Sequence, residues 1–434
     1  MSGTRTIAII GAGPVGLAAA AHLLERGLEP VVLEAGPEIG HAVRQWGHVR
    51  MFSPWEYNID TAAHRLLGGI GWNAPEADQY PTGAELVERY LEPLANRTAL
   101  KEHIRTASRV TGIGRVGFDK VKTQGRDKAR FEIRYRNGVG PKTVQADAVI
   151  DASGTWFSPN PAGADGMPAL GEDLAGERIA YGMPDIPGTA RVRYAGRTVA
   201  VLGTGHSAIG TLMDLARLQE EVPQTALIWL VRGETPDKAF GGGANDRLAA
   251  RGALGSAFAA LVASGRIRVE TAFRISRLAP EGGRLRIDAG AACCGRHVVV
   301  DELIVGTGFR PQLDFLRELR IALDPALECP PMLAPLIDPN EHSCGTVRPH
   351  GARELAQPDS GLYIAGMKSY GRAPTFLMLT GYEQVRSIAA EIAGDHEAAR
   401  KVELVLPETG VCSGPAPASP AAKVESKGCC LSAN

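Results

Sequence analysis

Two glycine-rich turns, each set between an apolar strand and a helix, constrain this chain more than any other feature. The first is Ile7-Ala8-Ile9-Ile10-Gly11-Ala12-Gly13-Pro14-Val15-Gly16, which runs through an alanine-rich helix into a second strand, Pro30-Val31-Val32-Leu33-Glu34. The second is Thr198-Val199-Ala200-Val201-Leu202-Gly203-Thr204-Gly205-His206-Ser207-Ala208, again followed by a helix and then a strand, Leu227-Ile228-Trp229-Leu230-Val231-Arg232. A pyrophosphate needs bare backbone amides with no side chain between, so glycine stands where the chain approaches closest. The helix that follows aims its unpaired N–H groups at the phosphates. Gly11, Gly13 and Gly16 with Pro14 therefore form one dinucleotide cradle. Gly203 and Gly205 with His206, Ser207 and Ala208 form another, in which alanine takes the third glycine position.

The strand ends distinguish the two ligands. Glu34 can accept both hydroxyls of a ribose and would repel a 2′-phosphate. Arg232 is a fork-shaped cation suited to a 2′-phosphate, which favours NADPH over NADH in the second cradle; it reads equally as a solvated residue at a strand end.

The rest of the chain is organised around these units. The segment 107–151 reads as short strands and turns, with alternation in Arg130-Phe131-Glu132-Ile133-Arg134-Tyr135, and closes on Ala148-Val149-Ile150-Asp151-Ala152-Ser153-Gly154, a buried strand that rejoins the first sheet. The reading is α/β: a Rossmann-like domain at 1–157, a Pro- and Gly-rich linker at 158–195, a second Rossmann-like domain at 196–310, the return of the first domain at 311–405, and a disordered tail at 406–434, rich in Pro, Ala, Ser and Gly. A late strand, 361–366, leads to a helix from about residue 375. Because ligands bind beyond the carboxyl ends of parallel strands, Gly366 to Thr380 are candidate contacts of the first ligand.

Composition excludes some classes. A net charge of −1 across 434 residues gives no basic surplus for nucleic acid or anionic lipid. No uninterrupted apolar run is long enough for a bilayer, and no charged leader precedes the first strand, so a cytoplasmic protein is expected. The seven cysteines are odd in number, against a disulfide framework.

The motifs GAGPVG with Glu34, VIDASGTW (149–156), VLGTGHSA (201–208), VGTGFRP (305–311) and LYIAG (362–366) together resemble the two-dinucleotide flavoproteins, in which a FAD domain is interrupted by an NADPH domain. Within them the chain is most similar to flavin-containing monooxygenases. Disulfide reductases of this fold set a CxxC or CxxxxC pair against the flavin, and this chain has no cysteine before Cys293 and no such spacing. The resemblance implies FAD at the first cradle, contacted by Arg44, Trp46, His48 and Arg50 of the loop after the first βαβ unit, and by Val110, Ser153, Gly154, Gly366 and Thr380. Trp46 and Trp55 read equally as ordinary packing anchors. NADPH is implied at the second cradle, with Gly308 nearby. Two departures stand out: the Phe-x-Gly-x-x-x-His fingerprint is replaced by 181–187 without the histidine, and the usual Gly-Asp reads Gly366-Met367.

The implied chemistry passes hydride from nicotinamide to flavin, forms a flavin C4a-hydroperoxide with molecular oxygen, and hands one oxygen atom to a small-molecule or metalloid substrate, so no catalytic triad is sought. The chain is also similar to monooxygenases associated with arsenic resistance. Its terminal Cys429-Cys430 pair, with Cys412, offers soft thiolates to a trivalent arsenical, though such tail cysteines also read as incidental. Cys293-Cys294 reads as packing in a hairpin. A flavin reductase or oxidase serving a quinone, metal or partner protein, and a non-enzymatic redox or metalloid sensor, stay open, as does a monomer or homodimer.

Overall fold

The computed structural model describes residues 4–240, 249–290, 295–341, 347–374 and 376–404. Cys293, Cys294, Cys344, Cys412, Cys429 and Cys430 lie outside these residues, as does the segment 406–434.

Sixteen strands are described: β1 (Thr6–Ile10), β2 (Glu29–Leu33), β3 (Ile104–Arg105), β4 (Arg109–Arg115), β5 (Phe131–Asn137), β6 (Gly140–Ala146), β7 (Ala148–Asp151), β8 (Ile179–Tyr181), β9 (Thr198–Leu202), β10 (Ala226–Leu230), β11 (Ile267–Glu270), β12 (Ile275–Glu281), β13 (Arg284–Ala289), β14 (Arg296–Val300), β15 (Glu302–Val305) and β16 (Leu362–Ile364). They form two parallel sheets, β16-β7-β1-β2-β3 and β11-β10-β9-β15-β8, and two antiparallel ribbons, β4-β5-β6 and β12-β13-β14.

The same layering is built twice, and the two-residue period of a strand explains it. In β1, Ile7 and Ile9 face the helices Pro14–Glu25 and Met378–Ala393, whose Leu17, Leu23, Val385 and Ile388 fill that layer. Ala8 and Ile10 face the other way, onto Ile113, Phe131 and Ile133 of the first ribbon. In β9, Val199 and Val201 meet Leu212 and Leu215 of the helix His206–Glu221, while Ala200 and Leu202 meet Leu278, Leu285 and Val300 of the second ribbon. Strands buried on both faces must be apolar throughout, which is why both read as unbroken hydrophobic runs.

Residues 158–195 are more than a linker. Ile179–Tyr181 pairs with β15 and extends the second sheet, a contribution too short to stand out among prolines and glycines. The carboxylate of Glu172, buried, accepts from the amides of Ala162 and Ala169 and from the Tyr181 hydroxyl, fixing this segment against the sheet.

A buried charge cluster ties the first ribbon to the returning chain. Asp359 pairs with Arg126 and, at 3.5 Å, with Arg115, and accepts from the Arg320 amide at 2.6 Å. Arg115 also lies over the Phe131 ring, 3.6 Å from its centroid. Removing one member of such a cluster leaves charge stranded in a low dielectric. Asp359→Ala is expected to lower unfolding free energy by ~3–5 kcal/mol, read by chemical denaturation.

Candidate active site

Both glycine turns sit at the carboxyl ends of their parallel sheets, where β1 meets the helix Pro14–Glu25 and β9 meets the helix His206–Glu221. In the first, Gly11 has φ +102°, and a Cβ there would fall 2.8 Å from the Ala152 carbonyl oxygen and 2.9 Å from the Ser153 Cα. A Cβ on Gly16 would lie 2.0 Å from the Gly11 carbonyl oxygen. Gly13 differs: nothing of the chain lies within 4 Å of its Cβ position, and the helix it opens has neither a side-chain cap nor an acid in its first turn. An uncapped helix start opening onto clear space fits a pyrophosphate.

Glu34 directly follows β2, 9% exposed, with Oε2 accepting from the Ala12 amide and Oε1 from the Gly36 amide, each at 2.7 Å. Residues 105–110 wrap around it: its amide donates to Arg105, its carbonyl accepts from Ser108, and the Ala107 amide donates to Gly36. Val110 follows on β4, packed against the first core. Ser153 and Gly154 (φ +69°) leave β7 against the glycine turn. Gly366 donates its amide to Gln384 Oε1 at 2.7 Å, and buried Thr380 hydrogen-bonds Tyr370 in the first turn of the helix Met378–Ala393. That helix meets the first one closely, since a Cβ on Gly381 would come within 2.6 Å of Val15.

The second turn repeats this design. Gly203 has φ +127°, and its Cβ would lie 2.3 Å from the Gly306 carbonyl oxygen; Gly205 opens onto free space and starts an uncapped helix. Ala208 is tolerated in the third glycine position because its neighbour across the turn is itself a glycine: a Cβ on Gly306 would sit 3.1 Å from the Ala208 Cβ. Arg232 is exposed and donates to the Ala164 carbonyl at 3.2 Å. Gly308 (φ +88°) belongs to the crossing between the two units, where the outgoing chain at 158–160 and the returning chain at 307–310 run antiparallel. Asn160 stitches them, exchanging bonds with Thr307, Gly308 and Arg310.

The loop 44–55 divides. Arg44 is committed to Glu92 at 2.5 Å and Glu38 at 3.4 Å, and Trp46 packs on Gly83, whose Cβ would strike its ring at 2.7 Å. Arg50 is drawn to the surface by a bridge with Thr82 and donates to the Tyr80 carbonyl. Trp55 is buried in the core. These four make packing, hydrogen-bond and ion-pair contacts within the first unit. His48 and Phe52, by contrast, reach the second unit. Phe52 lies 5.2 Å from the His206 ring. His48 is within electrostatic reach of Asp185 and Asp214, and its Nε2 is buried without a hydrogen-bond partner among the described residues. The Asp185 carboxyl is held below its usual range by the Thr189 amide and, more weakly, by His48; burial pushes Asp214 upward.

A family model described as pyridine nucleotide-disulphide oxidoreductase matches residues 8–333. The chain belongs to that family. By that description the family is one of oxidoreductases. Among curated proteins it is 24% identical over 246 residues to a flavin-containing monooxygenase of the GS-OX-like type from Arabidopsis thaliana, and 25% identical over 225 residues to flavin-containing monooxygenase 1 of Homo sapiens. Each match covers 50% of this chain, and 49% and 39% of those proteins. Among solved structures, a bacillithiol disulfide reductase from Bacillus cereus matches with TM-score 0.65 at 20% identity, over 90% of this chain and 99% of that one. A FAD-bound cadaverine monooxygenase from Erwinia amylovora matches with TM-score 0.62 at 15% identity, over 96% and 99%. These likenesses are likenesses of fold.

Two further side-chain pairings that motif spacing does not reveal lie beside the first turn and the crossing. Asp151 and Lys368, both fully buried, pair at 2.6 Å beside Ser153, and the aromatic pair Trp156–Phe309 lies at 4.9 Å beside the crossing. A charged side chain ending the otherwise apolar β7 was the visible sign of the first. The Gly306–Ala208 contact yields a test. Gly306→Ala is expected to cost about 1–3 kcal/mol in thermal or chemical unfolding, and adding Ala208→Gly to recover part of it, because the new Cβ would still meet the Ala208 Cα and N at 3.2 Å.

Proposed function

We propose that this oxidoreductase is a FAD- and NADPH-dependent monooxygenase that delivers an oxygen atom from O2 to a soft nucleophile, with trivalent arsenicals as the candidate class. The observation that carries the reading is the pair of uncapped glycine cradles, built alike and joined through one crossing. The monooxygenase names of the curated relatives support it, as does a sequence with no cysteine ahead of Cys293 to serve as a dithiol relay.

When bound, the flavin supplies hydride acceptance and oxygen activation. The chain supplies everything else. The amides around Gly13 neutralise the FAD pyrophosphate, and Glu34, already oriented by Ala12 and Gly36, takes the ribose hydroxyls. Gly205 and the first turn of the helix His206–Glu221 take the pyrophosphate of NADPH, and Arg232 its 2′-phosphate. The rings of Phe52 and His206, and of Trp156 and Phe309, pair beside the space between the units. The arsenical preference rests on the thiolates of Cys412, Cys429 and Cys430, outside the described residues, which are soft ligands for a thiophilic ion.

A second reading is an NADPH-dependent reductase or oxidase that passes electrons to another acceptor. The absence of the monooxygenase histidine from 181–187 favours it. NADPH oxidation by the FAD-reconstituted protein, run under labelled oxygen with arsenite, organoarsenicals, thiols and amines, separates the two. Label in the product is expected; stoichiometric peroxide with unlabelled product assigns the protein to the second reading. Arg232→Ala is expected to raise KM for NADPH by about tenfold while leaving KM for NADH unchanged, measured by steady-state kinetics.

A further inference from the structure

The carboxyl end of β7 carries a charge pair with no solvent access. Asp151 and Lys368 each have side chains 0% exposed, and Lys368 Nζ donates to Asp151 Oδ2 at 2.6 Å. The hydroxyl of Ser153 closes a triangle, donating to Asp151 Oδ1 at 2.7 Å and accepting from Lys368 at 3.1 Å. The Ser153 amide donates to Asp151 as well, at 3.2 Å, and the ammonium lies 4.4 Å from the centroid of the Phe315 ring. The ammonium thus has two hydrogen-bond acceptors and an aromatic ring beside it.

Burying an ion pair is a poor way to gain stability, because desolvation of both charges offsets their attraction. What a satisfied buried network gains is a single fixed geometry. Here the two loops it fixes are the ones that flank the first cradle. On one side, Ser153 lies against Gly11, whose Cβ position is 2.9 Å from the Ser153 Cα, so any shift of Ser153 moves the glycine turn. On the other, Lys368 belongs to the turn Gly366–Tyr370 that follows β16. Gly366 is bonded to Gln384 of the helix Met378–Ala393, and that helix abuts Val15 at Gly381. The path from glycine turn to β7 exit, to lysine, to the last helix, and back to the first helix is closed. Within it, the Asp151–Lys368 ion pair joins the β7 exit to the turn that precedes the last helix.

We propose that the Asp151–Lys368–Ser153 triangle is a positioning clamp for the first dinucleotide: it sets the separation of the β7 exit and the Gly366 turn, and through them the affinity and electronic environment of the bound flavin. Lys368 and Asp151 are positioning residues, acting through the loops that carry Ser153, Gly154 and Gly366. The inference rests on the reading of the first cradle as a FAD site.

The test uses the full chain, stripped of flavin and titrated with FAD. The paired substitution Asp151→Leu with Lys368→Met removes both charges together and leaves neither stranded. It is expected to unfold near the wild-type temperature, yet to bind FAD about tenfold more weakly, with a displaced visible absorption band and a shifted flavin midpoint potential. Ser153→Ala, which keeps the ion pair and removes the third vertex, is expected to move the same three readouts in the same direction by a smaller amount, and decides the matter if the paired variant does not fold. Wild-type affinity, spectrum and potential in the variants overturn the clamp. A wild-type protein that takes up no FAD overturns instead the reading on which it rests.

Discussion

The tightest constraint in this molecule is the contact between backbone and backbone at the two strand-to-helix turns. A Cβ on Gly16 would sit 2.0 Å from the Gly11 oxygen, and one on Gly203 would sit 2.3 Å from the Gly306 oxygen, distances at which no side chain exists. Because the helix can approach its strand so closely, its first amides project beyond the sheet edge, where they are left for an anion. The apolar runs of β1 and β9 follow from the same geometry. A helix held this close on one face, with a ribbon on the other, leaves the strand no contact with water.

Repeating that design within one chain raises the question of how two cradles are held in relation to each other. The crossing answers it with a short antiparallel pairing, Pro159 against Phe309, in which Asn160 uses its backbone and both ends of its side-chain amide. A two-chain crossing of this kind confines motion to few backbone bonds. One loop of the first unit adds contacts away from it, Phe52 on His206 and His48 near Asp185 and Asp214.

Much of this is legible in the amino-acid sequence. Glycine spacing, the acid following β2 and unbroken apolar strands are local signals, and they led to the α/β architecture, the two sheets and the loops at their ends. Short elements escaped. Ile179–Tyr181 carries no periodicity in three residues, and it joins the second sheet only because β15 is there to pair with it. Side-chain destinations in the loop 44–55 escaped for the same reason. Arg44 and Arg50 follow from carboxylates and carbonyls at residues 80–92 that sequence distance does not bring near, and Gly83 makes the slot that Trp46 fills. The Lys368–Asp151 pair joins positions 217 apart. Nothing in the spacing of either motif announces it.

The two cradles differ in how their strand-end residues are held, and under the proposed function that difference suits two ligands of different lifetime. Glu34 is 9% exposed and has both oxygens fixed by amides, so an acceptor in a set orientation awaits a ribose at little further entropic cost. Binding energy is then not spent on ordering, which suits a ligand that stays. Arg232 is exposed and rests on one backbone carbonyl, so its fork must be ordered anew with each ligand it meets. That cost weakens binding and speeds release. Under the proposed function, the first ligand is a prosthetic group and the second a reductant that must leave after each turnover, and the chain has placed its rigid anchor under one and its loose anchor under the other.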